Sequence, residues 1–159
     1  MNSNSITISI ASATDVEAIL ALFVDTINTV CAKDYTPEQR AVWTAGAQNT
    51  KRWLKKLEQH YFMVARLEET LVGFASLENN YIDFLFVHKD FQDRGIAKLL
   101  FETLREKAAE NNIETLASDV SLTARPFFEK MGFVVIRKQD NPTRGVNLTN
   151  FRMEKRLKK

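Results

Sequence analysis

Apolar and polar residues alternate with a period that changes several times along the chain, and each change marks a predicted element. Residues 6–10 alternate with a period of two, which is typical of a half-buried strand. Apolar residues then recur at helical spacing as far as Val30. Pro37, an early helix residue, precedes a predicted short helix over residues 39–45, and an amphipathic helix is predicted over residues 50–60. The first third of the chain is therefore mainly helical.

The rest of the chain contains most of the predicted strands. The elements predicted after residue 60 are strands at 61–67, 71–77 and 81–88, a helix at 95–110, a strand at 114–120, a short helix at 123–131, and strands at 133–136 and 146–153. Strand 81–88, helix 95–110 and strand 114–120 form a βαβ unit, so we expect these two strands to be parallel. Hairpins imply antiparallel neighbours elsewhere, which predicts a mixed α/β sheet with helices on both faces.

Composition narrows the classes of protein that fit this pattern. With 159 residues, 45% hydrophobic and 26% charged, we expect a single domain over residues 1–159. The net charge of +2 does not suggest a nucleic-acid partner. One cysteine, Cys31, excludes an internal disulfide and is expected in the core, and one Cys with two His argues against a structural metal site. Without a signal peptide or a membrane-length apolar run, a cytoplasmic protein with no membrane association is expected.

The segment most informative about chemistry is 81–98, in which a strand leads through a short polar loop into a helix. Free N–H groups and the helix dipole make such a helix start a site for anions. Gly95 and Ala97 would let phosphate groups approach the main chain, and Arg94 and Lys98 add positive charge. A single Gly-x-small loop is a weak signal, and a plain strand-to-helix turn explains it equally well.

Two motifs give this segment a more specific interpretation. Residues 92–97 read Gln-Asp-Arg-Gly-Ile-Ala, which resembles the Q/R-x-x-G-x-G/A motif of the GNAT-superfamily N-acetyltransferases. Residues 121–133 resemble the second motif of that family, N-x-x-A-x-x-x-Y-x-x-x-G-F. Here Ser121 stands in place of the Asn and Phe128 in place of the Tyr. The resemblance extends over nearly the whole chain.

The resemblance implies a fold and a reaction. Residues 35–39, Trp43 and residues 150–155 are similar to a bacterial subgroup that includes YafP-like proteins. The implied GNAT fold is a mixed, mostly antiparallel central sheet of about seven strands with helices on both faces. The implied reaction is direct attack of a primary amine, on a small molecule or peptide, on the thioester of acetyl-CoA in a ternary complex, without a metal.

The family also implies where acetyl-CoA binds. The strand that carries residues 85–87 is expected to splay from the strand ending near Val120, with the pantetheine arm in the gap. The pyrophosphate is expected on the main-chain N–H groups of residues 93–97, and a main-chain N–H of the splayed strand would polarise the thioester carbonyl. The expected cofactor-binding residues are Leu85, Phe86, Val87, Gln92, Asp93, Arg94, Gly95, Ile96, Ala97, Lys98, Ser121 and Phe128.

The attacking amine must lose a proton to a base. Asp83 is the best carboxylate candidate, with Tyr81 beside it, because a period of two places Tyr81, Asp83 and Leu85 on one face of the strand. A purely structural carboxylate is an equal alternative for Asp83, and Glu78 and Asp119 are reserve candidates.

The departing thiolate needs a proton donor, and Phe128 has no proton to give. Ser121, Tyr81 or a water could supply that proton. The residues expected to line the acceptor pocket are Tyr35, Trp43 and Asn150. The expected partners are acetyl-CoA and the amine, and the chain is compatible with a homodimer.

Other interpretations stay open at this point. An acyl-CoA-binding regulatory domain with little turnover, or a structural α/β module without a CoA site, would fit the same elements. The basic residues Lys51, Lys55 and Lys56 are expected on a solvated helix face. His60 is expected to be structural, and His88 is expected to be a loop residue and not a base.

Overall fold

The computed structural model describes residues 5–157, and its helices and strands follow the predicted order. The strands are β1 Ile6–Ile10, β2 Tyr61–Leu67, β3 Thr70–Glu78, β4 Tyr81–Val87, β5 Thr115–Ser121, β6 Val134–Gln139, β7 Pro142–Thr143, β8 Val146–Asn147 and β9 Asn150–Arg156. The helices are α1 Val16–Thr29, α2 Pro37–Thr44, α3 Thr50–Gln59, α4 Ile96–Glu110 and α5 Arg125–Lys130. Among the described residues, no helix is both long and apolar enough to cross a membrane.

Seven strands form one sheet in the order β1-β2-β3-β4-β5-β9-β6. Every neighbouring pair is antiparallel except β4 and β5, which are parallel as the βαβ unit predicts. The predicted mixed, mostly antiparallel sheet is therefore confirmed. The predicted last strand, 146–153, is divided because Leu148 pairs its main-chain N–H with the Asn141 carbonyl, which leaves β7 and β8 as a separate small ladder.

Each face of the sheet has its own hydrophobic core. Helix α4 packs on one face through Ile96, Leu100 and Leu104, all of them buried. On the other face lie the apolar sides of α1 and α3, with Phe23 and Trp53 buried against the sheet. The helical spacing of these residues explains why both helices form with one apolar side.

Strands β4 and β5 pair only at their first residues and then diverge. The register joins Tyr81 with Ala117 and Ile82 with Ser118 and goes no further. The Ser118 hydroxyl closes this junction by donating to the Ile82 carbonyl at 2.8 Å. Within the described chain, residues 84–87 therefore have β3 as a strand partner on one edge and an open gap on the other, as the family resemblance implies.

Aromatic rings hold β4 in place beside this gap. Phe84 stacks on Trp53 of α3 with a centroid distance of 4.5 Å, and Phe86 stacks on Phe74 of β3 at 5.3 Å. Phe23 of α1 contacts Phe86 at 5.1 Å. Such pairs add to the stabilisation from burial alone, so the outer half of β4 is anchored from the α1/α3 face.

Gly73 allows β4 and α4 to pack closely, and an alanine there should destabilise the fold. A Cβ at residue 73 would lie 2.9 Å from the Phe86 carbonyl oxygen and 3.0 Å from Cδ1 of Leu100. We expect Gly73→Ala to lower the free energy of unfolding by about 1–3 kcal/mol, measured by urea denaturation. Gly46→Ala is the control, because a Cβ there meets nothing within 4 Å. Equal stability of the two variants would contradict this account of the packing.

Candidate active site

The gap between β4 and β5 widens into a cleft of about 1020 Å³. Its lining includes Leu85 and Ile96 from the α4 face and Phe84 and Phe86 from the α1/α3 face, so the cleft passes through the sheet. The predicted cofactor-binding residues that line it are Leu85, Phe86, Val87, Gln92, Asp93, Gly95, Ile96, Ala97, Lys98, Ser121 and Phe128. Arg94 is not brought into the lining, because its guanidinium lies over the ring of Phe91 at 5.0 Å.

The N-terminus of α4 faces the end of the cleft beside Val87. Gly95 is the N-cap with φ of +79°, and no side chain accepts the free N–H groups of the first turn. A Cβ at Gly95 would meet nothing within 4 Å, so the space beside the loop is open. Lys98 and Lys130 also line the cleft. Free N–H groups, the helix dipole and two ammonium groups together suit a phosphate-bearing ligand.

Gln92 fixes the loop that leads to this helix. Its side-chain amide donates to the Val87 carbonyl at 2.7 Å and more weakly to that of His88 at 3.4 Å. His88 is outside β4, as expected, and its Nδ1 accepts the N–H of Asp90. Gln92 therefore fixes the loop between β4 and α4 to the C-terminal end of β4.

A β-bulge in β4 changes which residues face the acceptor side of the cleft. Ser76 pairs with Phe84 but Leu77 pairs with Ile82, so Asp83 is an extra residue without a partner in β3. Phe84 packs with the α1/α3 core and Leu85 with the α4 core. The prediction that Leu85 shares a face with Tyr81 and Asp83 is therefore wrong, because the extra residue reverses the alternation.

Asp83 lines the cleft and is ion-paired. Lys56 Nζ lies 2.5 Å from Asp83 Oδ2, and both side chains are about one-fifth exposed at 19%. Within the described residues, all polar contacts recorded for this carboxylate involve Oδ2. Oδ1 is thus the oxygen left for a ligand.

The expectation that Lys56 faces solvent is wrong. Lys56 follows Trp53 by three residues and precedes the buried Leu57, so it borders the apolar stripe of α3. From that position its side chain passes over the Phe84 ring, at 4.9 Å from the centroid, and reaches Asp83. The sequence signal for the position of Lys56 was its place next to an apolar stripe, because the methylene stem of a lysine can cover apolar surface.

Tyr81 is not brought to the cleft. Its hydroxyl donates to Asp119 Oδ2 at 2.8 Å, and the guanidinium of Arg152 lies over its ring. Burial, with a further contribution from the bond to Asp119, raises the pKa of Tyr81 well above its ordinary value. Asp119 itself lines the cleft and is also bonded to Arg152 at 3.3 Å, so this reserve candidate is engaged by several groups.

The three residues predicted for the acceptor pocket, Tyr35, Trp43 and Asn150, all line the cleft. The Tyr35 hydroxyl donates to the Thr149 carbonyl at 2.6 Å and accepts the Leu122 N–H at 2.9 Å. Burial raises the pKa of Tyr35 to about 12. Trp43 packs edge-on against Tyr35 with centroids 5.2 Å apart. Tyr35 thus fixes the relative positions of two segments of the acceptor wall and holds Trp43.

Ser121 and Phe128 lie where the second motif places them. Ser121 Oγ accepts the Ala124 N–H at 3.0 Å, which leaves its own O–H free to donate. Phe128 is 4% exposed and packs against Phe133 at a centroid distance of 5.0 Å. Both residues line the cleft on the β5–α5 side.

Sequence reasoning missed part of the lining. Cys31 is buried as expected, and burial raises the pKa of its thiol, but the residue also borders the cleft. Phe23 and Lys130 line it as well. The sequence of an apolar helical stripe does not show whether a given residue lines a cleft or lies in the core. Across residues 5–157, no three His, Cys, Asp or Glu side chains gather as a metal site.

Comparisons with known proteins agree on the family. The profile of the "Acetyltransferase (GNAT) domain" matches residues 31–156. YafP of Escherichia coli K12, an uncharacterized N-acetyltransferase, is 34% identical over 139 residues, which are 87% of this chain and 88% of YafP. A GCN5-related N-acetyltransferase from Rhodopseudomonas palustris has a TM-score of 0.93 and 30% identity, with 99% of each chain covered.

A more distant structure shares the fold. The PaiA N-acetyltransferase of Thermoplasma acidophilum, solved in complex with coenzyme A, has a TM-score of 0.79 and 21% identity over 96% of this chain and 99% of PaiA. The family and relatives named here are acetyltransferases, which confirms the predicted enzyme class and does not favour a regulatory domain or a structural module. The chain belongs to the GNAT family of N-acetyltransferases.

Proposed function

We propose that acetyl-CoA binds in the cleft between β4 and β5, and that a primary amine entering from the α1/α3 face attacks its thioester directly. The observation that carries this proposal is the divergence of β4 from β5 beside the N-terminus of α4. The pyrophosphate would bind at residues 93–97 and the pantetheine arm along residues 85–87. PaiA, which shares the fold, was solved in complex with coenzyme A, which supports acetyl-CoA as the co-substrate.

Two features of β4 suit the chemistry of acyl transfer. Beyond Ile82, the main-chain groups that β4 directs toward β5 have no strand partner within the described residues. These groups can bond to the pantetheine amides, and an N–H near the bulge can bond to the thioester oxygen, where negative charge develops during attack. The same bulge turns Asp83 toward the acceptor side. The bulge in β4 therefore provides both the base and the N–H that would polarise the thioester.

Asp83 is the proposed general base. Its Oδ1 would take the proton of the amine while Lys56 holds Oδ2, which fixes the orientation of the carboxylate. Ser121 is the proposed donor for the departing thiolate, because its hydroxyl lines the cleft and retains a proton to give. A water would return a proton to the Ser121 oxygen as the S–H bond forms. The single domain, the cytoplasmic location and a homodimer stay predictions from the sequence.

Release of free CoA thiol tests the function directly. The protein with acetyl-CoA and a panel of primary amines, comprising small alkyl and aryl amines, amino acids and short peptides, should release thiol with at least one acceptor class. Acetyl-CoA alone should raise the Tm, since a ligand that binds only the folded state stabilises it. Stabilisation without thiol release from any amine would instead support a binding domain.

Gly95→Trp should abolish stabilisation by acetyl-CoA, because the indole would fill the space of the pyrophosphate. The matched control is Gly145→Trp, since Gly145 has φ of +80°, close to the +79° of Gly95, and both positions have open space for a Cβ. Both variants should lose about 1–2 kcal/mol from the left-handed backbone alone. The measurement is the Tm shift with acetyl-CoA, expected for Gly145→Trp and absent for Gly95→Trp. An equal shift in both would remove the α4 N-terminus from the binding site.

Asp83→Asn should lower kcat/KM by about 10²-fold, the scale of a lost general base, and remove the acid limb of the pH profile. Asp119→Asn serves as the comparison, because Asp119 also lines the cleft but is bonded to Tyr81 and Arg152. We expect its effect on kcat/KM to be less than about tenfold, with the acid limb retained. The reverse ranking in steady-state kinetics would assign the base to Asp119.

Phe128→Tyr should change kcat by no more than a few-fold, because the native enzyme is expected to need only modest acid assistance from Ser121. A CoA thiol with a pKa near that of free cysteine, about 8.5, is a tolerable leaving group. Ser121→Ala should lower kcat more than it changes KM for acetyl-CoA. A gain of several orders of magnitude in Phe128→Tyr would mean that the native chain lacks an effective acid and acts mainly by binding.

A further inference from the structure

A buried histidine lies between the proposed base and the protein surface. His60 follows α3, and its side chain is 7% exposed. Its Nδ1 lies 4.0 Å from Asp83 Oδ2, and its Nε2 lies 3.3 Å from Glu78 Oε2. The Glu78 side chain is 55% exposed. One imidazole thus spans the distance from a cleft carboxylate to a solvent-exposed one.

The polar groups at this position are not satisfied. Among the described residues, two buried side-chain atoms have no hydrogen-bond partner, His60 Nδ1 and Ser76 Oγ. Ser76 lies in β3 opposite Phe84, directly beside the bulge at Asp83. An unpaired buried polar atom costs about 1–3 kcal/mol, so the unpaired His60 Nδ1, which is 4.0 Å from Asp83, indicates a role other than stability.

The charges around the imidazole come from three elements. Asp83 faces it from β4, Glu78 from β3, and Lys56 of α3 shares the Asp83 oxygen nearest to it. Two carboxylates and one ammonium group therefore face or border the imidazole. Imidazole can accept a proton at one nitrogen and release one from the other in the physiological pH range.

We propose that His60 carries the proton that Asp83 removes from the amine out to Glu78 and solvent. This inference rests on the proposed function. In the ground state His60 holds its proton on Nε2, and Nδ1 is the free acceptor. Once protonated at Oδ1, Asp83 is neutral and loses its attraction to Lys56, so its carboxyl group can turn toward Nδ1.

The remaining steps return every group to its starting state. The Asp83 O–H bond breaks as an N–H bond forms at Nδ1, which gives an imidazolium. The Nε2 proton then passes to Glu78, which releases it to water. Lys56 pairs again with ionised Asp83. His60, left as the Nδ1–H tautomer, returns to the Nε2–H tautomer by exchange with water, which adds a proton at Nε2 and removes the one on Nδ1 with no net gain of protons. The 4.0 Å separation must shorten during transfer, as is usual for catalytic contacts seen without substrate.

His60 would thus be a positioning and relay residue that does not touch the substrate, and its test needs a readout that packing alone would not change. His60→Gln should lower kcat by about tenfold or more, with KM for acetyl-CoA unchanged. In His60→Ala, added imidazole should restore turnover, and substituted imidazoles of similar size should restore it in proportion to their basicity. Rescue independent of basicity would show that the ring only fills space and would overturn the relay.

Glu78→Gln provides a second test that does not disturb the interior. It should lower kcat several-fold at low buffer concentration and recover as the buffer concentration rises, because buffer can replace the surface acceptor. Glu58→Gln is the matched control. Glu58 is exposed near the C-terminal end of α3, the helix that His60 follows, and within the described residues it makes no polar contact with His60 or Asp83. Wild-type kcat and pH profile in both His60→Gln and Glu78→Gln would overturn the inference.

The outcomes also separate this inference from the proposed function. If no amine gives thiol release with the wild-type protein, the proposed function fails before the relay is tested. If the wild type turns over and only Asp83→Asn is impaired, the function stands and the relay fails. If Asp83→Asn is fully active, the assignment of the base fails and the relay with it.

Discussion

The cleft depends on the aromatic cluster that holds β4 against β3 beyond the two residues at which β4 pairs with β5. A strand with one unpaired edge tends to acquire a new partner, and here the nearest one is β5. The rings of Phe84 and Phe86, stacked on Trp53 and Phe74, resist that movement from one face. The 11 phenylalanines of this chain therefore include several that keep a gap open while they fill a core.

The bulge links this packing to the chemistry. Because the extra residue puts Asp83 and Phe84 on the same face, the carboxylate sits directly beside the ring that anchors the strand. Lys56 contacts both of them through its ammonium group, which pairs with Asp83 and lies over the ring of Phe84. The reactive group is thus oriented by the aromatic packing that shapes the cleft, and a change in either alters both.

The sequence predicts the order and type of the main elements because their apolar periods are regular, and its two motifs identify the family. It does not predict the bulge, since nothing in the alternation of β4 shows that Asp83 lacks a partner in β3. It also places Tyr81 beside Asp83 without showing that the Tyr81 hydroxyl donates a hydrogen bond to Asp119. Such pairings depend on strands distant in sequence, so they appear only when the tertiary structure is known. That residues 92–98, except Arg94, lie together in the lining of the cleft was more predictable because they are consecutive.

The short junction between β4 and β5 has a consequence for how the protein holds together. Within the sheet, two paired positions join the part made by β1 to β4 to the part made by β5, β9 and β6, and the other links, such as the Tyr81–Asp119 bond, involve side chains or helices. Each part has continuous antiparallel ladders of its own, so the seam between them is the weakest line in the sheet. A ligand bonded to both sides of the seam acts as the missing rungs of the ladder. With acetyl-CoA bound as proposed, cofactor occupancy would therefore set whether the two halves of the sheet open separately or as one cooperative unit.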